Sequence, residues 1–245
     1  MKVPAPTKPT RTGVHADRPY ELWLPDPETT PPPWPGIVIL HGAGSRKENH
    51  ADFARAAASF GWAAIAYDQR GQGASTDEMA PGALGDVTTM ARFLAEIDEL
   101  DSEWVCVRGS SMGGMLAIHA AATSAAIAGA IAICPAREDG LLRALRHGDL
   151  EFRADEPALE AWLGEHDVAE AVELMAGKPL LLIHAKGDDR VPYTSSEELY
   201  ARASDPCKLI LLPGGHHQSA QHDGELHGVA LRWLERELEE REGYR

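Results

Sequence analysis

Residues 105–122, VCVRGSSMGGMLAIHAAA, change period halfway along. The run EWVCV has the length and apolar content of a strand, whereas MLAIHAAATSAAIA reads as a helix. Between them GSSMG fits G-x-S-x-G with Gly109, Ser111 and Gly113 in frame; Ser110 does not fit, because Arg108 stands two residues before it. Two readings suit the pentapeptide alone. Small residues let a helix pack closely on a strand, and a glycine-bracketed serine on a sharp turn is how a nucleophile is presented. In the second reading the helix aims its free N–H groups and positive dipole end at any oxyanion formed beside Ser111.

Outward from this turn, apolar runs of strand length alternate with helical segments. GIVILHGAG (36–44), WAAIAYD, WVCVRG, AGAIAICP, PLLLIHA and KLILLPG are the runs; NHADFARAAASFG, DVTTMARFLAEIDEL, 195–203 and 225–240 are the helices. Continuous apolar strands separated by helices predict an α/β fold: a mostly parallel central sheet with helices on both faces. YELWLP alternates instead, which predicts a more exposed antiparallel edge strand. Between 135 and 178 no strand is expected, only three helix-like pieces, GLLRALRHG, EPALEAWLG and HDVAEAVELMAG. That break predicts a small helical cap over a site, within a single domain spanning 1–245. Trp162, Leu163 and Met175 would either line a pocket there or fasten the cap to the core.

Charge and cysteine usage narrow the partners. A formal net charge of −15 repels nucleic acid and anionic membrane faces, so neither is expected as a partner. The 3 cysteines lie in or beside apolar runs, which predicts buried reduced thiols and a cytoplasmic location. MKVPAPTKPTRTG has no apolar h-region, so no targeting peptide is expected, and no apolar run is long enough to insert in a membrane.

A serine hydroxyl needs a base, and the base needs an orienting acid. Two loops after later strands provide both, in the order Ser, Asp, His: KGDDRVP with Asp188 and Asp189, and GHHQSAQHD with His216 and His217. Both loops follow strands at the carboxyl edge that also carries the serine turn, where open α/β sheets place their sites.

With these loops the chain, from LHGAG near 40 to GGHH near 217, resembles the α/β-hydrolase family of serine esterases and related hydrolases. DQRGQGAS (68–75) looks like the family's D-x-R-G-x-G-x-S turn. The family pattern G-D-x-x-V-P fits Gly187, Asp188, Val191 and Pro192, which implies Asp188 as the acid. P-G-x-x-H fits Pro213, Gly214 and His217, which implies His217 as the base beside Ser111 as nucleophile; His216 stands where the family usually has no histidine.

The resemblance implies a carboxylesterase acting on small-molecule esters through an acyl-enzyme, with no cofactor. Thioesterase, lactonase and serine peptidase chemistry use the same triad, and a non-catalytic ligand-binding protein is the alternative from another class. The oxyanion donors implied are the N–H groups of Met112 and of the loop after IVILHG, most simply Ala43, with Gly44 as the alternative. No metal is expected, since His216, His217, His222, Asp223 and His227 match no ligand spacing. His41 and His184 end two strands and are expected to be structural hydrogen-bonders.

Overall fold

The computed structural model describes residues 5–175 and 177–243. Its strands are β1 (Arg11–His15), β2 (Arg18–Trp23), β3 (Trp34–Leu40), β4 (Ala63–Tyr67), β5 (Leu100–Ser110), β6 (Ala130–Ile133), β7 (Leu180–Ala185) and β8 (Cys207–Leu212). They form one 8-stranded sheet in the order β1-β2-β4-β3-β5-β6-β7-β8. β1 and β2 run antiparallel to their neighbours, and β3 to β8 are parallel. The fold class expected from the apolar runs is therefore the one observed.

The alternating run YELWLP is a correction. β2 is antiparallel, as its pattern indicated, but it is not the edge: β1 pairs on its outer side, Arg11 opposite Leu22 and Gly13 opposite Tyr20. Its turn needs positive φ at Ala16 and Asp17, and its sequence, RTGVH, is mostly exposed, so hydrophobic periodicity could not reveal it.

Helices cover both faces. α1 (Ala51–Ser59) and α8 (Gly224–Gly243) bury Phe53, Ala57, Leu231 and Leu234 against Ile37, Ile39 and Ile131. On the other face α2 (Gly82–Ala95) and α3 (Met112–Thr123) bury Val87, Met90, Leu116 and Ile118 against Val38, Val105 and Val107. α2 begins four residues before DVTTM and ends at Ala95, leaving Leu100 to start β5. α3 is buried from Met112 through Ala121, which explains why its sequence shows no polar face. Among the described residues, no helix is long and apolar enough to cross a membrane.

The 135–178 segment holds α4 (Glu138–His147), α5 (Glu156–Glu165) and α6 (Val168–Glu173), and α7 (Tyr193–Arg202) follows β7. Local chemistry sets their ends. Gly148 closes α4 at φ 73°, Asp155 accepts from Ala158 N at the start of α5, and Asp167 accepts from Ala169 N at the start of α6. Between α4 and α5 the chain returns to the core: Met79 N donates to Arg153 O at 2.8 Å and Asp155 N to Met79 O at 3.0 Å.

Candidate active site

The turn at Ser111 is built from backbone constraints. Ser111 has φ 53° and ψ −121°, a region costing about 1–3 kcal/mol that persists only where surroundings hold it. Its N–H donates to Ile133 O at 2.9 Å. A Cβ on Gly109 would lie 2.0 Å from Gly113 O, and one on Gly113 would lie 2.5 Å from Leu40 O and His41 O. Both glycines are therefore demanded by close backbone approach. Gly114 is less tightly confined, its nearest neighbour being Pro135 Cα at 3.2 Å. The adjacent serines differ sharply: Ser110 Oγ is buried with no partner among the described residues, whereas Ser111 lines an open cleft of about 730 Å³.

The loops that carry Asp188 and His217 meet at the same edge. His217 Nδ1 lies 2.7 Å from Asp188 Oδ2, and Asp188 Oδ1 accepts from Arg190 N at 2.8 Å and Val191 N at 2.9 Å. The Asp188 side chain is fully buried. Burial alone would raise its pKa, but donors from His184, His217, Val191 and Arg190 outweigh that and hold the carboxyl well below its usual range. Asp189 and His216 are exposed and outside this arrangement; His216 N donates to Ser219 Oγ at 2.9 Å within its own turn. Among the described residues no hydrogen bond joins Ser111 Oγ to His217, and such bonds often tighten only when substrate binds.

Two loops interlock behind the serine. His41 Nε2 accepts from Gln69 N at 3.0 Å and His41 Nδ1 lies 2.8 Å from Gly42 O, which fixes the Nδ1–H tautomer. Burial pushes the His41 pKa down and keeps the ring neutral. Gly44 N donates to Gln72 Oε1 at 2.7 Å. Ala43 N and Met112 N have no acceptor among the described residues. Asp68 fastens the far side of the loop: its Oδ1 accepts from Lys47 N at 2.9 Å, and its Oδ2 meets Lys47 Nζ at 2.7 Å and Ala74 N at 2.8 Å.

The cleft is also lined by Arg137, Arg143 and Arg190, facing Asp139, Asp149 and Glu151. Beside it an apolar crevice runs between α3 and the 135–178 segment, where Trp162 and Leu163 meet Met79, Met112 and Met115. Met175 is buried in the core instead.

Sequence reasoning missed Cys134, which follows β6 at φ 44°. Its Sγ, a carboxylate oxygen of Asp188 and a ring nitrogen of His217 lie within 4.8 Å of one another. Burial pushes the thiol up to about 12, so it sits protonated beside the carboxylate. The His217–Asp188 bond already uses the two groups best suited to a cation, and no metal is assigned there. The other clustered histidines have structural partners: His222 Nδ1 lies 2.8 Å from Asp52 Oδ2, and His227 Nε2 lies 2.9 Å from Gln221 O.

Solved structures carry the same architecture. The α/β hydrolase GrgF from Penicillium sp. sh18 superposes with a TM-score of 0.74 at 16% identity, over 92% of this chain and 96% of that one. The chain has the α/β-hydrolase fold. Est1E from Butyrivibrio proteoclasticus, with ferulic acid bound, gives a TM-score of 0.73 at 21% identity over 94% and 98% of the two chains. Residues 32–147 of the chain match the family model described as serine aminopeptidase, S33. Escherichia coli (strain K12) YfhR is 42% identical over 64 residues, which span 26% of this chain but only 21% of that protein. Mycobacterium tuberculosis (strain H37Rv) Rv2307c is 24% identical over 212 residues, 84% of this chain and 71% of that one.

Proposed function

We propose that this chain is a serine hydrolase that cleaves small-molecule carboxylic esters through an acyl-enzyme on Ser111. The observation that carries the reading is the 2.7 Å contact between His217 Nδ1 and Asp188 Oδ2, at the strand edge where Ser111 sits on its strained turn. His217 Nδ1–H donates to Asp188, which leaves Nε2 as the base for the Ser111 proton. Ser111 Oγ attacks the ester carbonyl and the oxyanion receives Met112 N–H and Ala43 N–H. His217 Nε2 then protonates the leaving alcohol. Water, deprotonated by the same nitrogen, releases the acid and restores Ser111.

Each oxyanion donor is worth roughly 2.7–4 kcal/mol of activation free energy in comparable sites. The 135–178 segment serves as a cap whose helices wall the cleft, and the Met112 side chain lies at its inner face. The ferulic acid bound to Est1E supports an ester of an organic acid as the substrate class. A second reading, hydrolysis of a short peptide at its amino end, is favoured by the serine aminopeptidase description of the model matched at 32–147.

The test is labelling with a fluorophosphonate, followed by turnover of aryl esters of increasing acyl length beside thioester, lactone and aminoacyl substrates. Labelling at Ser111, lost in Ser111→Ala, with ester turnover exceeding peptide turnover, is the expected result. A folded protein that is not labelled at Ser111 would overturn it in favour of a ligand-binding role.

A further inference from the structure

Asp188 serves two histidines, and the second one has a definable chemical state. His184 is the next-to-last residue of β7, with its side chain fully buried. Its Nε2 lies 3.0 Å from Val191 O and 3.3 Å from Asp188 Oδ2. Both neighbours are pure acceptors, so Nε2 carries the proton. Nδ1, at 2.7 Å from Ser196 Oγ, then accepts from the hydroxyl. His184 thus presents an Nε2–H to Val191 O and Asp188, with Ser196 of α7 behind the ring. The oxygen it approaches, Asp188 Oδ2, is the same oxygen that His217 Nδ1 contacts.

We propose that His184 is a positioning residue of the triad, whose Nε2–H, shared between Val191 O and the Asp188 Oδ2 beside it, weakens the pull of this carboxylate on the His217 imidazolium. This rests on the serine-hydrolase reading for its catalytic meaning, though not for its physical content. An N–H directed past a carboxylate oxygen withdraws part of the negative charge available to the other donor on that oxygen. Without it, Asp188 would favour the charged form of His217 more strongly, and the base would be protonated over a wider pH range. The other groups facing Asp188 are the Cys134 thiol from the end of β6 and the N–H groups of Arg190 and Val191 in its own loop. The nearest ionisable side chains on those loops, Lys186, Asp189, Arg190 and His216, are exposed and remain unchanged by a substitution at 184.

The test pairs two side chains of matching shape, His184→Met and His184→Gln, of which only glutamine can donate at the Nε2 position. The acid limb of the kcat/KM profile is measured for each, and the His217 ring is titrated by nitrogen NMR. In His184→Met the limb and the NMR midpoint should both move to higher pH, by roughly half to one unit; His184→Gln should stay with the native protein. An unmoved His184→Met, or equal shifts in both variants, would overturn the proposal. Should His184→Met not fold, the His184 ring is read by nitrogen NMR in the native protein: a proton on Nε2 is expected, and a proton on Nδ1 with Nε2 bare would overturn the proposal. A native protein without hydrolase activity would sink the serine-hydrolase reading alone, because the NMR midpoint reports on His184 without turnover.

Discussion

Gly44 N donates to Gln72 Oε1 at 2.7 Å, and this bond occupies the Gly44 N–H that the proposed mechanism would otherwise offer to an oxyanion. Gln69 Nε2 meanwhile donates to His41 O, so the loop after β3 is gripped on either side of Ala43. Ala43 N is the N–H left free among the described residues of that loop facing the cleft. For the proposed mechanism, two glutamines of the 68–75 turn favour Ala43 over Gly44 as the oxyanion donor.

Gln72→Met, which keeps the length and removes the acceptor, releases the grip that holds Ala43 N in place and should lower kcat by about 10- to 100-fold with KM nearly unchanged, as expected when a transition-state donor is misplaced. Affinity for a boronic acid mimic of the tetrahedral state should fall in proportion. Equal weakening of mimic and substrate binding would show that Gln72 only shapes the cleft.

Close backbone approach makes the glycines of the turn unequal. Gly109→Ala would bring Cβ to 2.0 Å from Gly113 O, a clash that cannot be relieved without moving β5 from α3. A loss above about 4 kcal/mol, or no soluble protein, is expected. At Gly114 the nearest contact is 3.2 Å, and alanine also favours a helix by about 1 kcal/mol over glycine. Gly114→Ala should stay within about 1 kcal/mol of the native protein in urea unfolding; equal losses in the two variants would refute the assignment of tight packing to Gly109.

The parts legible in the sequence were those with a period or a fixed spacing. Continuous apolar runs gave the parallel strands because both faces of β3 to β7 are covered, and the serine turn stood out because backbone contact permits only glycine at 109 and 113. What stayed hidden depends on contacts between distant segments. β1 carries no apolar pattern, Cys134 looked like any buried thiol, and nothing in GQGAS signals that Gln72 reaches 28 residues back to Gly44. The choice of His217 over His216 rested on family spacing, and in the structure it is His217 that contacts Asp188.

Buried histidines predict a specific acid sensitivity. His41, His50 and His227 are nearly inaccessible, and burial lowers all their pKa values, His50 to about 2 with the Arg108 guanidinium adding to the effect. The unfolded chain binds these protons near pH 6.5 and the folded chain does so only at lower pH. Stability is therefore present above about pH 6.5 and lost as pH falls, with a ceiling of roughly 1.4 kcal/mol per pH unit per histidine, or about 4 for the three. Urea unfolding between pH 7 and 4.5 should show this decline before the carboxylates titrate. His50→Asn should reduce the slope by about one third, and a flat profile in the native protein would exclude neutral burial.

Glu138 roots the 135–178 segment on α3. Its Oε1 meets His119 Nε2 from α3, and its Oε2 accepts from Val168 N at 2.9 Å at the start of α6, so one buried carboxylate joins α4 to two other helices. His119 also packs edge-on against Trp162 of α5 at 5.4 Å, which brings the remaining helix of the segment to the same point. Glu138→Ala would strand both donors in a dry site, at about 1–3 kcal/mol each. The cost falls on the attachment of the segment more than on the sheet, since no strand residue takes part. Limited proteolysis should therefore cut Glu138→Ala first between 138 and 167, well before its melting point, while Glu138→Gln keeps an acceptor for Val168 N and resists longer. Cleavage elsewhere, or an unchanged digestion rate, would mean that the apolar crevice between Met112 and Leu163 suffices to hold the segment down.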